Sequence, residues 1–440
     1  SDSSSRFYVD LLVLVKWGYD GLELRAFTEK KKRSIEGEPA FFLPGLSWSR
    51  RTHTFAPHLI PENVLPSASR FIGLFNEKKN ILSTCSFWNT EFMDYCIKLS
   101  MEKDYQPIFK NGIVNKLPYP ELPEMLSNEF SEMTLRQYAR VKYVFNIDDR
   151  SLAFSNNSFF AVDSLSNFIN NWEIELDIKK NLYIKELEKL NILVYDFFVI
   201  SEEERQSIKE IISTGGKVNE GRVFDISSVQ VINQLFSILT GCALGRWDVR
   251  FIQHWKQEWS DEDIFKARKH SPFLYGAKES TLELVLPEYH DEIRKIWEMP
   301  YPIDVLEEVA SVSDINPIVN KLKEIIKYFW PQTFGTIEEE FLEHFKVNDL
   351  SKIFDKHSKF FDAHLKDYSR NKRISPIYWH LGVPSGKFNV WIYYPKLNDG
   401  SLFKIVNELV DPKIKEIAKE VEVLEMKGSA KELNDQKEFL

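Results

Sequence analysis

The spacing of hydrophobic residues changes twice along the chain, and the first part, residues 7–120, is predicted to be mostly strand. The stretch FYVDLLVLVKW is rich in β-branched and aromatic residues, which favour strands. Gly18 and the pair Asp20-Gly21 supply turn residues before a second strand-like stretch, GLELRAF. This part of the chain is therefore interpreted as a β-rich lobe.

Prolines and one amphipathic stretch interrupt that strand pattern. Five prolines between residues 39 and 66 break the chain repeatedly, which is typical of loops and edge strands. Residues 81–99 place most of their aromatic side chains on one side and are predicted to form a helix. Residues 111–123 are predicted to be a short strand that runs into a proline-rich exit.

From about residue 125 to residue 345 the pattern becomes helical. Residues 181–198 and 229–244 repeat apolar side chains at spacings of three and four. Residues 314–330 give the clearest helix, with Pro317 in the first turn and Pro331 directly after its end. Its predicted buried stripe is Ile318, Leu322, Ile325 and Phe329.

The pattern changes again after residue 374, where apolar and polar positions alternate. Residues 374–395 are predicted to form a β-hairpin that turns at Pro384, Ser385 and Gly386. A last helix, roughly 401–427, is expected to end at Gly428 and carries a 3-4-3 apolar spacing: Ile414, Ile417, Val421 and Leu424.

These patterns together predict an α+β protein with three parts. A β-rich lobe is expected over residues 1–125, a mainly helical domain over 126–345, and a helix, hairpin and helix over 346–440. With 43% hydrophobic and 28% charged residues, the chain has the composition of a folded globular protein. It contains no apolar stretch near the roughly 20 residues that a membrane-spanning helix needs.

The beginning of the chain and its cysteines bear on its origin. The first residues, SDSSSRF, lack an initiating Met and lack the basic and apolar regions of a signal peptide. We therefore expect a fragment of a longer protein. The three cysteines have no CxxC spacing, which favours a reduced, cytoplasmic protein with structural thiols over a zinc or disulfide site.

The common catalytic motifs are absent from the sequence. It has no GxxxxGK[ST] phosphate loop, no GxGxxG after a strand, no GxSxG elbow and no HExxH metal motif. Asp177 and Lys179 in ELDIKK resemble the acid and lysine pattern of some nucleases, but they lie in a charged helical stretch, and a solvated helix face is the preferred interpretation. No catalytic residue, metal ligand or cofactor site is therefore assigned to this chain.

Basic residues beside aromatic residues are the main candidate chemistry, although the formal net charge is -9. Arginine and lysine hold phosphates, arginine also reads guanine, and a neighbouring aromatic ring stacks on a base or supports the guanidinium plane. The candidate DNA-binding residues are Lys31, Lys32, Arg33, Arg50, Arg51, His53, Arg246, Arg250, Arg370, Lys372, Arg373 and Lys387.

Each cluster also has a simpler structural explanation, which the sequence leaves open. EKKKR at 29–33 is also explained as a solvated loop. In GRWDVR, Arg246 or Arg250 would pair with Asp248 over a packed Trp. The cations of SRNKR at 369–373 would oppose the dipole at the end of a helix.

Several segments, taken in order, resemble the region that follows the catalytic domain in large single-chain adenine-specific DNA methyltransferases. These are the type IIG enzymes and their relatives in the BREX and DISARM phage-defence systems. The family's tWs element, LP-containing strand, helix start and closing G-I-x-x-LP-x-P correspond to GLSWS, HLIPENVLP, IGLFNEKK and NGIVNKLPYP. Two later segments, TGCALGRWDVRF and HLKDYSRNKRISPIYWHLGVPSGKFNVWIYYPKL, are similar to C-terminal segments of the defence-system branch.

The resemblance implies a DNA-recognition role without catalysis. The family's S-adenosylmethionine-binding motif and its Asn-Pro-Pro-Tyr motif have no counterpart here, so the cofactor is expected in an N-terminal methyltransferase domain. Double-stranded DNA and that domain are the partners that the resemblance implies, in restriction-modification or antiviral defence. A scaffold that docks other defence-system proteins is the alternative, and a nuclease built on Asp177 and Lys179 is a more distant one.

Overall fold

A computed structural model describes the chain over residues 5–11, 15–32, 35, 37–52, 54–65, 70–101, 108–213, 220–304, 309–311, 316–354, 359–369, 377–383 and 388–427. The protein is an α+β fold in which helices predominate and the described strands form two small antiparallel sheets, as the sequence predicts in outline. No helix in the described ranges has the length and apolar character that would let it cross a membrane.

The helices of the first half are α1 (Gly18–Lys30), α2 (Lys78–Trp88), α3 (Glu91–Leu99), α4 (Asn111–Val114), α5 (Glu124–Phe145), α6 (Leu165–Phe197) and α7 (Glu202–Ser213). Those of the second half are α8 (Ser228–Ala243), α9 (Val249–His254), α10 (Lys278–Leu282), α11 (His290–Glu298), α12 (Asn316–Phe329), α13 (Phe334–Phe345), α14 (Lys359–Asp367), α15 (Ser401–Ile405) and α16 (Asp411–Lys427). The strands are β1 (Gly45–Ser49), β2 (His58–Ile60), β3 (Arg70–Gly73), β4 (Val309–Ser311), β5 (Tyr378–Gly382) and β6 (Asn389–Tyr393).

The first 125 residues contain less strand than the sequence predicts. GLELRAF is part of helix α1, and its Leu, Glu, Arg and Ala residues all favour helix. Of FYVDLLVLVKW, the described residues form a single β-bridge, between Phe7 and His58. The strand predicted over 111–123 begins instead with the short helix α4. The helix predicted over 81–99 is two helices, and Thr90 caps the second of them.

The first sheet has the strand order β2-β1-β3, and its central strand lies in the hydrophobic core of the first 125 residues. All five residues of β1 are buried, and the indole of Trp48 donates a hydrogen bond to the carbonyl of Phe109 at 3.0 Å. Gly45 allows β1 to approach β3, because a Cβ atom there would lie 2.3 Å from the carbonyl oxygen of Gly73. The packing of Trp48 against Phe55 and Trp88 then joins this sheet to α2.

Arg6 ties the beginning of the chain into this core. Its buried guanidinium donates to both carboxylate oxygens of Glu220, at 2.9 and 3.0 Å, and to Asp94 at 2.9 Å. It also donates to the amide oxygen of Asn89 at 3.2 Å. Burial raises the pKa of Asp94 to about 6, although Arg6 opposes that rise. A single buried cation therefore links three separate stretches of sequence.

The central region is helical, as predicted. The stretches predicted over 181–198 and 229–244 lie within α6 and α8, and α12 begins at Asn316 with Pro317 in its first turn. All four residues of its predicted stripe are buried: Ile318, Leu322, Ile325 and Phe329. One hydrophobic core runs from Phe7 to Tyr393, across the boundaries expected near residues 125 and 345.

The predicted C-terminal hairpin is confirmed, and its two faces pack against two different hydrophobic clusters. Strands β5 and β6 pair from Tyr378 with Tyr393 to Gly382 with Asn389, and β4 adds a third strand that the sequence did not predict. One face packs on the main core, where the rings of Trp391 and Phe361 stack at 5.2 Å. The other face packs on α15 and the turn after it through a second cluster: Phe388, Val390, Ile392 and Ile405.

The last predicted helix is divided in the structure. Helix α15 is followed by a π-helical turn over Val406–Val410 and then by α16, which ends at Lys427 within the described residues. Ile417 and Val421 of the predicted apolar stripe are buried, whereas Ile414 is exposed. The predicted stop at Gly428 and the hairpin turn at 384–387 lie outside the described residues.

Candidate functional site

The GRWDVR segment begins just after α8 and folds back onto the last turn of that helix. The amide of Arg246 donates to the carbonyl of Gly241 at 2.7 Å, and the amide of Gly245 donates to Cys242 at 3.0 Å. Gly245 has φ +69°, so the helix ends in a Schellman motif with glycine in the left-handed position. The ring of Trp247 then packs directly on Gly241, where a Cβ atom would lie 2.4 Å from the indole.

This turn places Arg246 between two aromatic rings. Its guanidinium carbon lies 4.5 Å from the ring centre of Trp247 and 4.6 Å from that of Tyr368. The guanidinium also donates to the hydroxyl of Tyr368 and, at 3.3 Å, to the carbonyl of Asp149. The side chain of Arg246 is only 20% exposed. Arg246 follows α8 and Tyr368 follows α14, so their contact joins the ends of these two helices.

The carboxylate of Asp149 is the centre of a buried polar network. Its side chain is 1% exposed, and its Oδ2 atom accepts hydrogen bonds from Ser237 and Tyr368, both at 2.8 Å. The guanidinium of Arg246 lies 3.9 Å from the same oxygen. A buried carboxylate needs such donors, because burial otherwise makes the charged form costly.

His364 continues the network from Ser237 to the hairpin. Its Nε2 lies 2.5 Å from the hydroxyl oxygen of Ser237, and its Nδ1 lies 2.9 Å from the hydroxyl of Tyr378. Because Ser237 donates its only proton to Asp149, Nε2 must carry the proton that reaches Ser237, and Nδ1 accepts from Tyr378. The ring is therefore a neutral Nε2–H tautomer.

The electrostatic environment agrees with a neutral imidazole. Burial, with a further contribution from Arg246 and Arg150, lowers the pKa of His364 to about 3. Burial also raises the pKa values of Tyr368 and Tyr378 well above their ordinary range. The network thus keeps one fixed order of donors, from Tyr378 through His364 and Ser237 to Asp149.

Serine, histidine and aspartate also form hydrolase triads, but the arrangement here is different. In a triad the histidine lies between the other two and removes the serine's proton. Here Ser237 lies between His364 and Asp149, is itself buried and donates to the carboxylate. His364 does not accept the proton of Ser237 in this arrangement, so the geometry is not that of a catalytic triad.

A second contact reinforces the same junction. Arg150 is held by the carboxylate of Asp148 through Nε at 2.7 Å and Nη2 at 2.6 Å. Its Nη1 donates to the carbonyl of Asp367, at the end of α14, at 3.1 Å. Arg150 thus holds the same end of α14 that Arg246 contacts through Tyr368.

The other arginine of GRWDVR is held internally, as the structural explanation predicts. Arg250 donates to both carboxylate oxygens of Asp248, at 3.1 and 2.8 Å. Its Nη1 also donates to the carbonyls of Trp297 and Met299. Asp248 is 4% exposed and Arg250 12% exposed. This arginine connects α9 to the end of α11, and these contacts occupy its guanidinium group.

The two clusters of the first lobe have different exposures. Lys31 and Lys32 are exposed at the C-terminal end of α1, so they follow a helix and not the strand that the sequence suggested. Arg51 is exposed and forms a backbone bridge with Ile108. Arg50 is half-buried, and its Nε finds no hydrogen-bond acceptor among the described residues. The buried Trp48 beside them cannot stack on a base.

Six candidate residues lie outside the described residues: Arg33, His53, Arg370, Lys372, Arg373 and Lys387. For the others, no hydrogen bond, ion pair or ring contact within the described ranges joins Arg50 or Arg51 to Arg246 or Arg250. The convergence of these cations on one DNA-binding face therefore stays a prediction.

The nuclease-like ELDIKK stretch forms a solvated helix face. Asp177 is exposed on α6, while Lys179 pairs with Glu175 at 3.5 Å and lies 4.0 Å from the ring centre of Tyr143. No cluster of three or more His, Cys, Asp or Glu that could hold a metal ion occurs in the described part of the chain.

No family model matches the chain, and no curated protein matches it significantly. The family resemblance therefore stays a prediction that rests on the quoted motifs alone.

Proposed function

We propose that this chain is a sequence-specific recognition module for duplex DNA, belonging to an S-adenosylmethionine-dependent adenine methyltransferase of a restriction-modification or phage-defence system. The observation that carries the proposal is the contact between Arg246 and Tyr368. It joins the two C-terminal segments that resemble the defence-system enzymes, TGCALGRWDVRF and HLKDYSRNKR, although 122 positions separate the two residues. Because these two segments resemble the same family and also contact each other, their packing supports the proposal that they act together in one module.

Adenine methylation explains why such a module is needed. The exocyclic amine of adenine is stacked inside the duplex, so the enzyme must turn the base out before methyl transfer. A recognition module grips the phosphates and reads flanking bases, which holds the adenine in reach of the catalytic domain. S-adenosylmethionine would bind that domain, in the cytoplasm, and no residue of this chain is assigned to it.

The candidate cations divide into two roles under this proposal. Lys31, Lys32 and Arg51 are exposed and suited to phosphate or base contact. Arg246 and Arg250 would position the neighbouring segments instead of contacting DNA, because their guanidinium groups already have internal partners. Arg370, Lys372, Arg373 and Lys387 are proposed phosphate contacts, and Arg33, Arg50 and His53 complete the proposed set.

Titration of labelled duplex DNA at several salt concentrations tests the proposal. Phosphate binding releases counterions, so affinity falls steeply as salt rises. Affinity that stays constant between about 50 and 200 mM salt would contradict phosphate contact as the basis of binding. Arg50→Ala would relax the preference at one base position if Arg50 reads a base.

A protein-interaction scaffold is the second candidate, and exposed apolar residues favour it. Phe403 is 76% exposed, and Leu402 and Val406 are exposed beside it on α15 and the turn that follows. Such residues suit contact with another defence-system protein or with the catalytic domain. A stoichiometric partner that co-purifies after nuclease treatment, and that is lost with Phe403→Ser, would support this function over DNA recognition.

A further inference from the structure

A second stretch of chain lies beside the arginine pair that follows β1. Arg51 forms an antiparallel bridge with Ile108, and the amide of Phe109 donates to the carbonyl of Arg50 at 2.9 Å. The indole of Trp48 donates to the carbonyl of Phe109 at 3.0 Å. These hydrogen bonds fix the beginning of the second stretch against the end of β1.

The lysines of this second stretch are directed to solvent. In an antiparallel pair, residues opposite each other lie on one face, and so does every second residue beyond them. Lys110 keeps an extended backbone, with φ -78° and ψ 151°, so it lies on the same face as Arg51. Val114 and Leu117 are buried in the core, while Lys116 between them is exposed.

The far end of the stretch packs on the aromatic cluster that also holds its beginning. The ring centre of Tyr119 lies 6.4 Å from that of Phe75, which lies 6.1 Å from that of Trp88. Trp88 in turn packs on Trp48, with ring centres 6.0 Å apart. Packing at both ends therefore fixes the backbone that carries the two lysines.

The two stretches carry cations and no carboxylates. Arg51, Lys110 and Lys116 are exposed, and none of them forms an ion pair within the described ranges. The sequence has no Asp or Glu over 39–61 or over 105–120, although these two residue types make up 66 of its 440 residues. In a protein of formal net charge -9, such a local excess of positive charge is suited to an anionic ligand.

We propose that Lys110 and Lys116, together with Arg51, form a phosphate-binding surface of the first lobe that contacts the backbone of duplex DNA. This inference deepens the proposed function, on which it rests, by adding two contacts outside the basic clusters of the sequence. A lysine binds phosphate as a point charge and needs no bidentate geometry. Because the supporting backbone is already fixed to β1, little ordering is required when a phosphate binds.

The variant that tests this removes two charges from the surface and leaves the core intact. It combines Lys110→Ala with Lys116→Ala, and both side chains are exposed. Lys278→Ala combined with Lys295→Ala is the matched control, because these lysines are also exposed, have no ion pair in the described part of the chain, and give the same change in net charge. Both double variants should unfold thermally like the wild type.

Titration of labelled duplex DNA over a range of salt concentrations measures the phosphate contacts. We expect the Lys110 and Lys116 variant to bind several-fold more weakly than the control variant. The slope of logarithmic affinity against logarithmic salt concentration should decrease by about 1.8, or about 0.9 for each contact. A wild-type slope and affinity in this variant, or equal weakening in the control variant, would overturn the proposal.

Elution from immobilised heparin separates this inference from the proposed function, because heparin is a polyanion without bases. The Lys110 and Lys116 variant should elute at a lower salt concentration than the control variant. If the wild-type chain binds no duplex DNA, the proposed function and the assignment of this surface to DNA both fail, while earlier elution of the variant still supports an anion-binding surface. Elution of the two variants at the same salt concentration would overturn the anion-binding surface itself.

Discussion

The hydroxyl of Tyr378 lies 2.9 Å from Nδ1 of His364, and this bond joins the C-terminal hairpin to helix α14. The imidazole of His364 also hydrogen-bonds to Ser237 on α8, and Ser237 donates to the buried carboxylate of Asp149. A chain of polar groups thus runs through the core and joins segments that are far apart in sequence. Such a network is stable only when every member has its partner.

Stability should depend on pH through His364. Its pKa in the folded protein is about 3, below the ordinary value of about 6.5 expected when unfolded, so protons bind preferentially to the unfolded chain. The stability contributed by the neutral ring is full above pH 6.5 and is lost as the pH falls toward 3. At pH 5.5 this one residue should lower the free energy of unfolding by about 1 kcal/mol relative to pH 7.5.

The variant His364→Gln removes that titration. Its stability penalty relative to wild type should be about 1 kcal/mol smaller at pH 5.5 than at pH 7.5, measured by urea unfolding at both pH values. Asp10 and Asp94, whose pKa values burial raises to about 6, titrate in both proteins, so their contributions cancel in the difference. An equal penalty at both pH values would contradict a buried neutral histidine.

The Asp248 and Arg250 pair should contribute to stability. Asp248→Asn leaves the guanidinium of Arg250 buried without its carboxylate, and we expect a loss of about 3 kcal/mol in the free energy of unfolding. Asp291→Asn is the matched control, since Asp291 forms an exposed pair with Arg294 at 2.7 Å and should matter little. Similar losses in the two variants would show that burial does not strengthen this pair.

Two helical glycines should respond oppositely to alanine. Gly241→Ala places a Cβ atom 2.4 Å from the buried ring of Trp247 and should destabilise the protein by about 1–3 kcal/mol. Gly335→Ala, in α13, meets nothing within 4 Å and should be neutral or stabilising because alanine favours helix. Thermal unfolding of the two variants compares them directly. A stable Gly241→Ala protein would contradict the packing of Trp247 on α8.

Replacing an exposed arginine and replacing an internal arginine should have different effects on stability and on DNA affinity. Arg51→Ala should leave stability nearly unchanged, because the side chain is exposed and has no ion pair in the described ranges, yet weaken DNA binding. Arg250→Ala should lower stability and leave the DNA affinity of the folded fraction unchanged. Unfolding curves and DNA titrations on the two variants measure both quantities. The reverse pattern would contradict the division of the candidate cations into two roles.

The sequence predicted the elements whose stabilising contacts are local. The stripe from Ile318 to Phe329 is regular enough to define α12, and the alternation around Trp379 and Trp391 defines the hairpin. Strand β4 was missed because it pairs with β6 about 80 positions later, and no local pattern encodes such a pairing. GLELRAF was wrongly predicted as strand because its apolar residues fit both periods, and its helix formers decided the outcome.

The polar network was missed for a similar reason. Asp149, Ser237 and Tyr378 come from separate segments, and each one alone resembles an ordinary core or loop residue. One signal was present in the sequence. His364 lies in α14 and Tyr368 directly follows that helix four positions later, a spacing that places the two polar rings on the same side of the chain.

DNA affinity as a function of salt, compared between wild type and Arg370→Ala combined with Arg373→Ala, tests the central claim most directly. The wild-type chain should bind duplex DNA with a logarithmic affinity that falls linearly with the logarithm of salt concentration. Removal of two phosphate contacts should weaken binding to all sequences and reduce that slope by about 1.8. A wild-type affinity that does not respond to salt, or a double variant with the wild-type slope, would contradict the account.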